Sequence, residues 1–212
     1  LAAGCAHLPF FRAVREEPLD VLDRMIGAGV NTPVTSACGR LFDAVAAVLD
    51  LRRTVSYEGQ AAVELEAMVD ANRVHRMSGS EGYPFAITRE EGLERLDPAP
   101  MWRGLLDDLV AGEPARVIAA RFHVGLAAGL ARFAGHLAEA SGPLASRRIA
   151  LTGGVFQNAV LTGRLVGMLE AAGWRVLRHG RVPANDGGLS LGQAVIAAAR
   201  AGGDADDGIG RC

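Results

Sequence analysis

Lysine is absent from this sequence of 212 residues, in which all 22 basic residues are arginines. A P-loop and a Schiff-base mechanism each require a lysine, so the sequence excludes both. The 24 acidic residues leave a formal charge of −2, which provides no broad electrostatic surface for nucleic acid or an anionic membrane. We therefore expect neither as a partner.

Cysteine is also scarce, and Cys5, Cys38 and Cys212 lie far apart. Without a CxxC pair, neither a disulfide framework nor a zinc ribbon is expected, and a reducing, cytoplasmic setting fits best. We expect no apolar run of the roughly 18 residues that span a bilayer, and no secretory signal opens the chain. The sequence begins at Leu1 rather than methionine, which we interpret as a boundary within a longer protein.

Half of the residues are hydrophobic, which is enough for one full core. We treat residues 1–212 as a single partial domain, with an ordered part from about 8 to 199 and a frayed tail at 201–212. By contrast, the segment Asn72–Asp97 is rich in Gly, Ser, Arg and Glu, and we expect a surface excursion with little regular structure. Apolar residues at helical spacing predict helices at Pro18–Ile26, Gly39–Leu49, Gly59–Val69, Pro98–Gly112 and from Pro114 to about Ser141.

The last third of the chain changes to an alternating pattern. Short apolar stretches at 148–152 and 174–178 predict two strands, with a helix between them and a final helix from Leu189 to about Ala199. A strand, helix, strand, loop and helix in this order predict a right-handed parallel unit. The fold class is therefore helix-rich α/β.

The first candidate motif is Leu151-Thr-Gly-Gly-Val-Phe-Gln-Asn158, a strand that ends in Gly153 and Gly154 before a helix. The first N–H groups of that helix would have no backbone partner and would favour a phosphate. Glycine suits this position because a side chain would stand where the phosphate approaches. An ordinary tight turn explains the two glycines equally well.

The second motif is Asn185-Asp186-Gly-Gly, which follows the second strand. Loops that leave the carboxyl ends of parallel strands gather at one edge, so Asp186 should lie near Gly153 and Gly154. A carboxylate beside phosphates often holds a metal. The alternative is that Asp186 caps the final helix.

The third motif runs from Thr35 to Asp43, with Gly39 and Asp43 at the start of a helix. A carboxylate one turn into a helix can accept hydrogen bonds from both ribose hydroxyls, although favourable placement near the helix dipole is a commoner role. Cys38 is more typical of a buried thiol than of a nucleophile. The five histidines include no pair spaced by three or four residues, so no local two-histidine metal site is expected.

Taken in order, these motifs resemble the HypF-type carbamoyltransferases of nickel–iron hydrogenase maturation. The resemblance covers about residues 8–199. It includes Ser36-Ala-Cys-Gly-Arg-Leu-Phe-Asp43, Ser56-Tyr-Glu-Gly-Gln60 with the following Glu64 and Glu66, Phe122-His123, Gly153-Gly-Val-Phe-Gln-Asn158 and Pro183-Ala-Asn-Asp-Gly-Gly-Leu189. Ala37 and Ala159 depart from the family's usual serine and basic residue, but neither is a candidate site residue.

The resemblance implies the C-terminal lobe of an actin-like fold of the sugar kinase and Hsp70 type. In this family a carbamoyl group passes from carbamoyl-adenylate, made from carbamoyl phosphate and ATP, to the C-terminal cysteine of a HypE-type acceptor protein. Gly153, Gly154 and Asn158 would hold the phosphate side, and Gly39, Asp43 and Gly59 the ribose and adenine side. Asp186 would be the catalytic ligand of a divalent transition metal, iron or zinc, completed by residues outside this chain.

Other functions remain open from the sequence. An O-carbamoyltransferase that acts on a small-molecule hydroxyl uses the same adenylate, and a non-catalytic lobe that docks a partner would also fit an incomplete site. A Rossmann-like cofactor domain is disfavoured because the loop after the strand predicted at 148–152 lacks GxGxxG.

Overall fold

The computed structural model describes residues 2–140, 142 and 147–206. Within this part the helices are α1 (Ala2–Cys5), α2 (Pro9–Val14), α3 (Leu19–Ala28), α4 (Cys38–Val48), α5 (Gln60–Ala67), α6 (Ala71–Arg76), α7 (Ala99–Val110), α8 (Ala115–Ala140), α9 (Ala159–Ala171) and α10 (Leu189–Asp206). The strands are β1 (Ala86–Glu90), β2 (Leu93–Asp97), β3 (Arg148–Leu151) and β4 (Arg175–Arg178). The chain is therefore a helix-rich α/β protein, as predicted.

Local signals explain where some of the helices begin or end. Gly29 adopts a left-handed conformation with φ of 66° and ends α3, and Pro114 precedes the first turn of α8. The final helix continues to Asp206, beyond its predicted end at Ala199, so residues 201–206 are helical rather than part of a frayed tail. Residues 207–212, and the predicted stop at Ser141 and Pro143, lie outside the described residues.

Helix α8 is the centre of the core. Ile118 and Phe122 are completely buried, and burial of such a side chain contributes about 1.5–3 kcal/mol. Contrary to the expectation from the sequence, α8 is long and apolar enough to cross a membrane by length and composition alone. In the structure, 56% of the apolar 18-residue stretch of α8 is buried against other elements, as in the core helix of a folded domain.

The segment 72–97 was predicted to lack regular structure, and this prediction was wrong. It contains α6 and an antiparallel hairpin in which Ala86 pairs with Asp97 and Glu90 with Leu93. Residues 82–85 cross α8 so closely that a side chain at Gly125 would overlap the backbone of Tyr83. The glycine allows this approach, and Tyr83 and Phe85 become buried in the core.

Strands β3 and β4 form a parallel pair, in register from Arg148 opposite Arg175 to Leu151 opposite Arg178. Helix α9 connects them and packs on α8. This arrangement confirms the predicted strand–helix–strand unit. The following α10 contacts mainly the short turn before it, and its apolar residues Leu189, Leu191, Val195 and Ile196 are exposed. The first two candidate motifs, the glycine turn and the Asn185-Asp186 loop, therefore lie at the carboxyl ends of the two strands.

Candidate functional site

The loops that follow β3 and β4 touch each other, as their topology predicted. The Gly153 N–H donates to the Ala184 carbonyl over 2.8 Å. A Cβ atom placed on Gly154 would lie 3.9 Å from the Cβ atom of Asn185. The glycine turn and the Asn185-Asp186 loop thus form one continuous structure, although Asn185 is the residue that directly faces the turn.

The glycine turn itself offers two free donors. Gly153 has φ of 105° and ψ of 155°, a conformation open only to glycine, and a 3₁₀ turn follows from Gly154 to Gln157. Within the described residues, the N–H groups of Gly154 and Val155 have no acceptor because they begin this turn. A phosphate oxygen is a suitable acceptor for both groups. The space beside Gly153 is open, since a Cβ atom there would meet nothing within 4 Å.

The start of α9 is already capped, which corrects the expectation that its donors are free. The Glu66 carboxylate accepts from Ala159 N–H over 2.7 Å and from Val160 N–H over 3.2 Å. The side chain of Asn158 accepts from Leu161 N–H over 2.7 Å. An anion is therefore better received by the preceding turn than by the helix.

Asn158 is buried, and both ends of its amide are engaged. Its Nδ2 atom lies 3.0 Å from His123 Nε2, while its Oδ1 atom caps α9. The nucleotide role of Asn158 stays a prediction. In this conformation, its contribution to the site is to fix the end of the glycine turn.

His123 is a neutral histidine of the core. Its Nδ1 atom lies 2.8 Å from the Ala119 carbonyl, so we assign the proton to Nδ1 and leave Nε2 to accept from Asn158. Burial lowers the pKa of His123 to about 4. The ring centroids of Phe42 and His123 lie 5.4 Å apart, so α4 packs against His123. His123 is thus a histidine whose two ring nitrogens are both hydrogen-bonded within the core.

The residues predicted for the ribose and adenine side fall on two helices. Gly39 and Asp43 lie in α4, which rests against the 3₁₀ turn, and the Asp43 carboxylate pairs with Arg40 over 2.8 Å. Gly59 begins α5 with φ of 81°, about 10 Å along that helix from Glu66. The structure therefore brings α4 to the glycine turn and leaves Gly59 at the far end of α5. Burial raises the pKa of the Cys38 thiol to about 11, which disfavours a nucleophilic role.

Asp186 is exposed in the loop after β4. Asn185, rather than Asp186, is the capping residue in this loop: its Oδ1 atom accepts from Gly187 N–H over 3.1 Å and caps the short 3₁₀ turn, Asp186–Gly188, that leads into α10. In the described part of the chain, the Asp186 carboxylate has no hydrogen bond or ion pair, and no three His, Cys, Asp or Glu side chains lie close enough to hold a metal ion. Asp186 therefore fits a single ligand of a metal site, and these residues do not form a complete one.

A cleft of about 540 Å³ adjoins the glycine turn, and sequence reasoning did not identify it. Its polar side chains are Gln157, Thr162, Arg178 and His179, and His179 Nε2 lies 3.1 Å from Thr152 Oγ1. The signal in the sequence was the run Arg178-His-Gly-Arg181, which starts at the last residue of a predicted strand. Such a run is uninformative until the strand is known to end beside the glycine turn.

A parallel pair of strands that ends in a glycine turn with two N–H donors, beside a loop that carries the Asp186 carboxylate, is an arrangement suited to a phosphorylated ligand. The family described as "Carbamoyltransferase, Kae1-like Domain, second subdomain" matches residues 3–193. The chain belongs to this family of carbamoyltransferases.

Similar proteins are carbamoyltransferases of the HypF type. The carbamoyltransferase HypF of Rhodobacter capsulatus is 39% identical over 201 residues, which cover 94% of this chain and 24% of that protein. The carbamoyltransferase HypF of Rhizobium leguminosarum bv. viciae is 41% identical over 177 residues, which cover 83% of this chain and 21% of that protein. The chain thus spans about a quarter of the length of these relatives.

Solved structures give the same assignment. Full-length HypF in a phosphate- and nucleotide-bound form is similar with a TM-score of 0.75 and 34% identity, over 92% of this chain and 25% of that one. HypF of T. kodakarensis is similar with a TM-score of 0.69 and 25% identity, over 87% and 23% of the two chains.

Proposed function

We propose that this chain is the nucleotide-binding half of an enzyme that transfers a carbamoyl group from carbamoyl-adenylate to the C-terminal cysteine of a HypE-type acceptor protein. The step serves cyanide-ligand synthesis in nickel–iron hydrogenase maturation. The enzyme would use ATP and carbamoyl phosphate, and this chain would form the C-terminal lobe of its actin-like domain. The chain spans about a quarter of the length of its relatives, and we assign the adenylate-forming step to other parts of the enzyme.

One observation carries this proposal: the N–H groups of Gly154 and Val155, which have no acceptor among the described residues, lie beside the loop of Asp186. The proposed ligand is an acyl phosphate ester, whose phosphate oxygens suit these donors. A HypF structure in a phosphate- and nucleotide-bound form, with a TM-score of 0.75 to this chain, supports the same ligand class.

In the proposed reaction, the thiolate of the acceptor cysteine attacks the carbamoyl carbon. A carbon–sulfur bond forms, the bond from that carbon to the phosphate oxygen breaks, and AMP leaves with the electron pair. The thiol proton is released to solvent. Gly154 and Val155 would hold the phosphate, Gly153 would shape the turn, and Asn158 would fix its end. Gly39, Asp43 and Gly59 would line the ribose and adenine side.

Asp186 would supply one ligand of a divalent metal, iron or zinc, with the other ligands outside this chain. Such an ion, when bound, offsets negative charge near the transferring group. The carboxylate of Asp186 is exposed and has no partner among the described residues, which is consistent with this role.

A matched pair of substitutions at Gly154 tests the phosphate role. Gly154→Pro removes one N–H donor, and proline suits the first position of a helical turn. Gly154→Ala keeps the N–H and adds a methyl group at an ordinary distance of 3.9 Å from Asn185. Loss of a hydrogen bond to a charged group costs about 1.5–3 kcal/mol, so the proline variant should bind AMP roughly 10- to 150-fold more weakly.

The measurement is titration of AMP into the whole enzyme that contains this chain, with thermal unfolding as the check on folding. The alanine variant should bind close to the parent. Equal affinity for the parent and a folded proline variant would show that the turn does not hold the phosphate. Transfer to a HypE-type protein, followed by mass spectrometry of its C-terminal peptide, separates this function from carbamoylation of a small hydroxyl compound and from a docking role without catalysis.

A further inference from the structure

The cleft beside the glycine turn has a cationic rim. Arg178 and His179 line it, and no carboxylate from the described part of the chain does. The remaining lining is mainly apolar and includes Phe156, Val182 and Pro183. Within the described residues, the Arg178 guanidinium has no carboxylate partner in an ion pair. Arginine left unpaired beside an apolar surface is suited to an anionic group carried by a larger, partly apolar ligand.

The cleft and the phosphate donors are adjacent but separate. Thr152, whose hydroxyl contacts His179, immediately precedes Gly153, and consecutive Cα atoms lie about 3.8 Å apart. Ala184 lines the cleft, and its carbonyl accepts from the Gly153 N–H. Gly154 and Val155 do not line it. An anion in the cleft would therefore lie next to a phosphate on the turn without sharing its donors.

We propose that this cleft binds the chain-terminal carboxylate of the acceptor peptide, an inference that rests on the proposed function. In a C-terminal cysteine, the thiol and the carboxylate are carried on neighbouring carbon atoms. A group that holds this carboxylate must therefore lie close to the point of transfer, and the cleft meets that requirement beside the turn. The planar guanidinium of Arg178 can donate two parallel hydrogen bonds to a carboxylate. The apolar wall of the cleft suits the preceding side chains of the peptide.

The test compares two synthetic peptides with the last ten or so residues of the acceptor protein, one with a free C-terminal carboxylate and one with a C-terminal amide. Each is titrated into the whole enzyme by calorimetry, without carbamoyl phosphate, so that binding is measured apart from turnover. The parent enzyme should bind the free acid at least about 10-fold more tightly, as expected for a charge-assisted pair.

Arg178→Gln should reduce this preference to less than about 3-fold and leave AMP affinity within about 2-fold of the parent. The matched control is Arg175→Gln, which makes the same charge change on the same strand outside the cleft, and which should keep the full preference. Because both arginines are exposed, thermal unfolding should show that both variants fold.

Three results would overturn the inference: a parent enzyme that binds acid and amide equally, an Arg178→Gln variant that keeps the preference, or the same variant with weakened AMP binding. The last result would assign the cleft to the nucleotide phosphate. The two proposals fail separately. If the enzyme binds the acid and amide peptides equally but Gly154→Pro still weakens AMP binding, only the proposed carboxylate site is wrong. If Gly154→Pro does not weaken AMP binding, the proposed phosphate site is wrong.

Discussion

The Asn158 amide donates to Nε2 of His123 over 3.0 Å, with both side chains buried. This hydrogen bond joins the start of α9 to the middle of α8. The other polar atom of each side chain is hydrogen-bonded too: His123 Nδ1 lies 2.8 Å from the Ala119 carbonyl, and Asn158 Oδ1 accepts from Leu161 N–H. The glycine turn therefore ends on a residue that is held by the core.

Asn158→Ala should destabilise the chain by about 2–4 kcal/mol, since it removes a helix cap and leaves a buried acceptor on His123 unpaired. Asn158→Asp keeps the cap but replaces the donor with an acceptor, so it should raise the pKa of His123 by favouring its protonated form. Urea unfolding measures the first effect, and an NMR titration of the His123 ring measures the second. An unchanged His123 pKa in the aspartate variant would contradict the assigned hydrogen bond.

The depressed pKa of His123 predicts a loss of stability in acid. The value is about 4 in the folded chain and about 6.5 in an unfolded one, so the unfolded state binds more protons between these values. The contribution of neutral His123 is therefore fully present above pH 6.5 and is lost as pH falls toward 4. It amounts to roughly 3 kcal/mol at most.

The measurement is the free energy of unfolding at pH 7 and at pH 4.5 for the parent and for His123→Gln, which cannot titrate. The difference between the two pH values should be smaller in the variant. His179→Gln provides the control, because this exposed histidine lies outside the core and its replacement should leave the parent's profile. Parallel profiles for the parent and His123→Gln would contradict the burial of a neutral His123.

Glu66 caps α9 from a distance of more than ninety residues along the chain. Glu66→Ala should leave two helix donors without their protein acceptor and cost about 1–2 kcal/mol. Glu66→Gln keeps an acceptor oxygen and should cost less, about 0.3–1 kcal/mol, for the lost charge at the helix N-terminus. Amide hydrogen exchange at Ala159 and Val160 should rise in the alanine variant. Unchanged exchange at both amides would show that this cap does not protect α9.

The parts of this fold that could be predicted from the sequence are those with local causes. Apolar periodicity predicted α3, α4, α5, α7 and α8 nearly to their ends, and it predicted α9 as the helix between the two strands. The parallel pairing of β3 and β4, and the meeting of their loops, followed from the order of the elements. In each case the residues that determine the structure lie within one or two turns of it.

The predictions that were wrong depended on contacts between residues that lie far apart in the sequence. The segment 72–97 looked polar, but Tyr83 and Phe85 pack against α8 because Gly125 and Gly129 leave room for them. Similarly, the start of α9 looked free to bind an anion until Glu66 supplied its cap from α5. A sequence pattern reports the spacing of residues along one element. It does not report which distant side chain reaches an unpaired donor.

The final prediction separates binding from chemistry at two carboxylates. Asp43 is proposed to accept from ribose hydroxyls, which are the same in the ground state and the transition state. Loss of such uniform binding raises KM and leaves kcat nearly unchanged. Asp43→Ala should therefore raise KM for the adenylate by roughly 10- to 150-fold. Because Asp43 also pairs with Arg40, Arg40→Ala is the matched control, and it should change KM by less than about 3-fold.

Asp186 is proposed to act near the transferring group, where charge changes only as the bond to phosphate breaks. Asp186→Asn should therefore lower kcat by at least about 100-fold and change KM little. Its stability should stay within about 0.5 kcal/mol of the parent, because the side chain is exposed and has no partner in the described part of the chain. The assay is carbamoyl transfer to the acceptor by the whole enzyme, with carbamoyl-phosphate-dependent ATP–pyrophosphate exchange as the check that the adenylate still forms. Transfer at the parental rate by Asp186→Asn would show that this carboxylate takes no part in the reaction.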